Sequence, residues 1–156
     1  MLQIPTKQHP AESIINQYML GAIAVGLIPI PLVDLVALSA LQLKMLHRLA
    51  NLYGIPFSTN RGNALIAALL GGGVSFSFSR NLASLVKGLP VYGQVTSMIS
   101  LSIFGGASTY AIGRVFMQHF ESGGTFLTFD PQQVSDYYAE QFDKAQKQIR
   151  DNSGRP

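Results

Sequence analysis

The side chains with most chemistry to offer are His9, His47 and His119, the triplet Gly71-Gly72-Gly73, and the serines Ser75, Ser77, Ser79 and Ser84. A histidine metal site wants ligands one helical turn apart, as in H-x-x-x-H or H-E-x-x-H. The three histidines fall in three separate segments without that spacing. His119 and Glu121, two positions apart on a helix end, point in different directions. The glycine triplet runs into Val-Ser-Phe-Ser with no Gly-Lys-Ser/Thr. It therefore lacks the lysine charge and the metal-binding hydroxyl of a phosphate loop. The serines have no adjacent base and fit no nucleophile elbow. Cysteine is absent, which excludes thiol nucleophiles, disulfides and zinc–thiolate sites. No catalytic, cofactor-binding or metal-binding role is assigned to any residue. His47, beside Lys44 and Arg48, reads as part of a basic rim.

Asp34 carries two readings. An acid just after Pro29-Ile30-Pro31, near the start of an apolar helix, is favoured by the helix dipole. At membrane depth the same acid would need a cationic partner such as Lys44 or Arg48, and would be a functional candidate.

The elements that position these residues are poor in charge. Charged residues make up 12% of the chain, against about 25% in a typical soluble domain. They are also unevenly placed. The first 113 residues hold Lys7, Glu12, Asp34, Lys44, Arg48, Arg61, Arg80 and Lys87, a net +4, and the remainder carries −1. The bases are spaced singly between apolar runs, which suits lipid headgroups and argues against nucleic acid, where clustered cations are required. The first dozen residues are polar and broken by Pro5 and Pro10, with no cleavable signal pattern.

Residues 13–33, 62–79 and 88–113 contain no ionised side chain. Each is near the roughly 20 residues a helix needs to cross a bilayer. A first helix is expected over 11–27, ended by the two prolines, which remove backbone donors. Pro31 opens a second over 32–53, closed by Gly54 and Pro56. The pair reads as a helical hairpin. A third helical region, 60–87, carries small residues at every fourth position: Ala67, Gly71, Ser75, Ser79 and Ala83. A fourth, 90–120, repeats the device with Gly105, Thr109 and Gly113. Such ladders let a neighbouring backbone come close, in a membrane or in a soluble bundle. After Gly123-Gly124 a short extended piece, 125–129, leads to Asp130 as N-cap and a helix over 131–150. Its apolar stripe is Val134, Tyr138, Phe142, Ala145 and Ile149, with Glu140/Lys144 and Asp143/Lys147 paired on the wet side. The fold expected is all-α. Apolar hairpins form a membrane-associated domain over 1–125, and a polar tail with one amphipathic helix occupies 126–156.

The order and spacing of Pro29-Ile30-Pro31-Leu32-Val33-Asp34, Leu41-Gln42-Leu43-Lys44-Met45-Leu46 and Tyr53-Gly54 resemble a bacterial family, the domain of unknown function 697. That family includes the C-terminal region of the YcjF membrane proteins and tails on some small GTPase domains. Thr109-Tyr110-Ala111-Ile112-Gly113-Arg114, with Phe120-Glu121 and Gly123-Gly124, is similar to its second block. The resemblance implies a hydrophobic, membrane-linked protein with no enzyme activity and a frequent association with GTPases. The chain has no nucleotide-binding motif, so a GTPase would be a separate partner. The structural or interaction candidates are Pro29, Pro31, Asp34, Gln42, Met45, Tyr53, Gly54, Gly105, Thr109, Tyr110, Gly113 and Arg114.

The function expected is that of a non-enzymatic anchor, scaffold or assembly partner. Its place would be the bacterial inner membrane, with both termini and the polar tail in the cytoplasm. Lipid, further copies of the chain and a separate GTPase are the expected partners. The alternative is a soluble or peripheral helical module that oligomerises through its apolar helices. A pore lined by Asp34 and the serines is a weaker third reading.

Overall fold

The structure, a computed structural model, describes residues 7–27, 31–71 and 93–153, and these form helices without strands. Five helices follow in order: α1 (Gln8–Gly26), α2 (Pro31–Tyr53), α3 (Thr59–Gly71), α4 (Gly93–Glu121) and α5 (Ser135–Ser153). Pro29, the triplet beyond Gly71, and the ladder residues Ser75, Ser79 and Ala83 lie outside the described residues.

Local chemistry accounts for the helix ends. α2 opens on Pro31, whose missing N–H is no loss in a first turn. It closes at Gly54, which adopts φ +70°. The Gly54 N–H donates to Asn51 O and the Ile55 N–H to Ala50 O at 2.8 Å, the two reversed bonds of a Schellman cap. α4 closes the same way at Gly123, φ +87°, with Gly124 N–H donating to His119 O at 2.9 Å. Ser58 caps α3 through Arg61 N–H.

α4 is the central helix. Ala107, Ala111, Ile112, Val115 and Phe116 are buried around most of its circumference, as expected of a helix with neighbours on several sides. It packs against α1, α2, α3 and α5. α1 adds Ala11, Ile15 and Ala22, and α2 adds Met45, Leu46, Leu49 and Ala50. At one end Phe116, Phe120, Phe126 and Phe129 form an aromatic cluster, with Phe116 and Phe129 stacked at 4.3 Å.

Two expectations are corrected. The segment 125–129 is a turn, not an extended strand. Thr125 N–H donates to Thr128 Oγ1 at 2.9 Å and Leu127 N–H to Thr125 Oγ1, so side chains satisfy the backbone that a strand partner would have paired. Asp130 does not cap the last helix, which begins five residues further on: its Oδ1 accepts from Gln132 N–H at 3.0 Å, but residues 131–134 form turns. Helix α5 starts at Ser135 instead. Its stripe of Tyr138, Phe142, Ala145 and Ile149 is buried in the same core that α1 and α4 build. Among the described residues no helix is long and apolar enough to cross a membrane. The charge-free stretch 13–33 is divided between α1 and α2, and α1 dilutes its apolar content with Ser13, Asn16 and Gln17.

Candidate functional site

The polar residues of the bundle interior converge in two places. The first is a seam between α2 and α4. Gln42 is fully buried, and its Nε2 donates to Ser108 Oγ at 3.2 Å and Thr109 Oγ1 at 3.1 Å. Ser108 Oγ donates onward to Gly105 O at 3.2 Å. One amide thus ties two consecutive hydroxyls of the central helix to α2. A buried amide demands such partners, since leaving it unpaired costs about 1–3 kcal/mol.

The second is a polar cleft of about 250 Å³ between α1, α4 and α5, lined by Glu12, Asn16, Tyr110, Arg114, Lys144 and Gln148. Arg114 Nη1 donates to Glu12 Oε1 at 3.1 Å, with the two side chains 23% and 46% exposed. Burial alone would lower the Arg114 pKa, but the phenols of Tyr110 and Tyr137 and the Glu12 carboxylate outweigh it and raise it above the ordinary value. The guanidinium is fixed as a cation. With Lys144 beside it, the cleft offers two cations, one carboxylate and several amide and phenol groups. It can recognise a polar or anionic group. Its lining contains no histidine, serine or threonine.

Close helix contact sets both places. A Cβ on Gly113 would sit 2.7 Å from Ile15 Cγ1, and one on Gly105 would sit 3.2 Å from Ala22 O. Only glycine at these positions lets α1 approach α4 closely enough for Glu12 to reach Arg114. Tyr53, at the end of α2, donates from its hydroxyl to Glu121 Oε1 at 2.8 Å, and Gln8 reaches the other carboxylate oxygen. Burial and then the Glu121 carboxylate raise the Tyr53 pKa, so the phenol stays protonated.

The candidates named from sequence are therefore distributed as follows. Gln42 and Thr109 meet in the seam, and Tyr110 and Arg114 meet in the cleft. Gly105 and Gly113 are close-contact positions, Met45 is buried core, Tyr53 bonds α4, and Gly54 caps α2. Pro31 and Asp34 occupy the first turn of α2. Sequence reasoning missed Glu12, Lys144 and Gln148 as cleft residues. A signal for Glu12 was present, since an acid in so charge-poor a body needs a cation, and Arg114 is the first charge after residues 88–113. Among the described residues no group of three His, Asp or Glu is placed to hold a metal ion.

A family model described as a domain of unknown function, DUF697, matches residues 3–147. Magnetosome membrane protein 22 of Magnetospirillum gryphiswaldense is 42% identical over 135 residues, covering 86% of this chain and 69% of that protein. No solved structure matches the chain.

Proposed function

The chain belongs to the DUF697 family, and from that premise we propose that it is a non-enzymatic assembly module working at a bacterial membrane. The observation that carries this reading is the 42% identity, over most of the chain, to a protein named for the magnetosome membrane. The geometry supports it from another side. Two of the polar motif side chains join helices: Gln42 bonds Thr109 and Tyr53 bonds Glu121. Residues spent on holding a bundle together are not free to act as acid, base or nucleophile.

The module holds to the cytoplasmic face of the membrane and presents the outer side of α5, with Glu140, Asp143, Lys144 and Lys147 exposed, to a soluble partner. The family resemblance makes a separate GTPase the first partner to test, with self-assembly of the chain as the second. A soluble helical module that oligomerises is the second reading, favoured by one observation. Leu46, Ile112 and Phe116 are fully buried within the chain's own core, so much of its apolar content is used internally.

Flotation of lysed bacteria on a density gradient tests the proposal. The protein is expected in the floating membrane fraction, and recovery entirely in the dense soluble fractions would overturn the reading.

A further inference from the structure

Three helices each present a pair of polar residues one turn apart to the same space. Glu12 and Asn16 come from α1, Tyr110 and Arg114 from α4, and Lys144 and Gln148 from α5. Residues four apart share a helix face, so each pair is set toward the cleft by a helix and not by a loop. Ile15, fully buried against Gly113, is the one aliphatic residue of the lining. Pockets for drug-sized ligands hold about 300–1,000 Å³ and are mostly apolar. This cleft, at about 250 Å³, is smaller and polar. It suits a compact charged group better than a nucleotide or an apolar ligand.

The fold leaves the cations of the cleft only partly used. Arg114 commits Nη1 to Glu12 at 3.1 Å, while its Nε is closed to solvent and has no hydrogen-bond partner among the described residues. Lys144 forms no ion pair with Glu140, one turn away, or with any other described residue. Two cations against one carboxylate give the cleft a formal charge of +1. A monoanion balances it. A dianion would leave an excess negative charge beside Glu12, and like charges brought together in a partly desolvated site repel strongly.

Shape narrows the class further. A carboxylate is planar and pairs best with the two parallel N–H groups of a guanidinium fork, and Glu12 already occupies one nitrogen of it. Donors from three helices meet the cleft from several sides, an arrangement that a tetrahedral group with oxygens in different directions can use. At neutral pH a phosphate monoester carries a charge of about −1.5 to −2, whereas a phosphodiester is a monoanion.

We propose that the cleft between α1, α4 and α5 binds the phosphate of a monoanionic phosphodiester. Arg114 and Lys144 hold its charge, Asn16, Tyr110 and Gln148 donate to its oxygens, and Glu12 turns dianions away. The headgroup of phosphatidylglycerol and small soluble diesters share this chemistry. The site stands independently of the membrane reading above.

Dimethyl phosphate, the bare diester, is the first probe, added to the full chain at about pH 8, where a monoester is a dianion. It is expected to shift the side-chain amide signals of Asn16 and Gln148 in heteronuclear NMR spectra. The dissociation constant should be on the order of 1 mM, because so small a ligand has few atoms to bind with. Methyl phosphate and acetate are each expected to bind at least about tenfold more weakly. Lys144→Gln, at an exposed position, is expected to weaken dimethyl phosphate at least about tenfold by removing a charged hydrogen bond. Glu12→Gln is expected to strengthen it and to bring methyl phosphate within about threefold of it, a gain that a purely structural ion pair would not give. No shift at concentrations about tenfold above that constant overturns the inference. So does acetate bound as tightly, or binding that Lys144→Gln leaves unchanged.

Flotation with vesicles of phosphatidylcholine, with and without an equal share of phosphatidylglycerol, separates the two sources. Phosphatidylglycerol-dependent flotation that Lys144→Gln weakens assigns a lipid headgroup. Flotation indifferent to the substitution, with dimethyl phosphate still bound by the unmodified chain, assigns a soluble diester. Either result keeps the site. A chain that reaches bacterial membranes yet binds no diester overturns this inference alone. One that binds the diester yet stays out of membranes overturns the membrane reading alone.

Discussion

Gly113 shows how tightly single positions are held. A Cβ there would lie 2.7 Å from Ile15 Cγ1, and Ile15 is fully buried, so α1 and its isoleucine must shift to admit a larger residue. Gly113→Val is expected to cost about 1–3 kcal/mol of stability, the usual penalty of overpacking, measured by urea unfolding. Tyr138 is the opposite case. Its ring is buried and its hydroxyl has no hydrogen-bond partner among the described residues. Tyr138→Phe removes a desolvated polar group while keeping the ring, and should raise stability by about 1 kcal/mol in the same measurement. The Arg114–Glu12 pair is partly solvated, and Glu12→Gln should cost no more than about 1 kcal/mol. The cleft residues are thus better suited to recognition than to holding the fold.

At the scale of elements, capping was readable and packing partners were not. Gly54 with Pro56 announced the end of α2, and the structure supplies the reversed bonds to Ala50 and Asn51 that require φ +70°. Gly54→Ala puts a Cβ into that left-handed conformation and should cost about 1–2 kcal/mol, read as a lowered melting temperature. Asp130 carried the same kind of local signal and led to the wrong helix start. An aspartate before Pro131 can cap a helix or close an Asx turn on the residue two positions on. Here Asp130 accepts from Gln132 N–H at 3.0 Å, a bond common to both, and residues 131–134 stay in turns before α5 begins. The antiparallel register of α1 and α2, with Leu41 against Gly21, was equally invisible.

For the whole molecule, the raised pKa values of Tyr53 and Tyr138 link stability to pH. Burial raises both, and the Glu121 carboxylate adds to it at Tyr53. The folded state therefore holds protons that the unfolded chain releases near the ordinary tyrosine value of about 10. This contribution to stability is fully present below that pH and is lost as pH rises above it. Urea midpoints should fall on the alkaline side of pH 10, and the fall should be smaller in Tyr138→Phe.

Some features of this protein were settled by the sequence alone. The all-helical class, the Pro31 start and Gly54 end of α2, the apolar stripe of α5 and the lack of a nucleotide or metal motif depend on neighbours within a turn or two, where backbone chemistry is local. The family resemblance followed from residue order and spacing in the same way. Tertiary structure decided the rest. Glu12 meets Arg114 across 102 positions and Gln42 meets Thr109 across 67. Such pairings follow from how far one helix slides along another before side chains and glycine gaps interlock, a quantity that no single segment contains. The same sliding brings the last turns of α1 and α5 to one level, where Ile23 and Ile149 meet at Gly106.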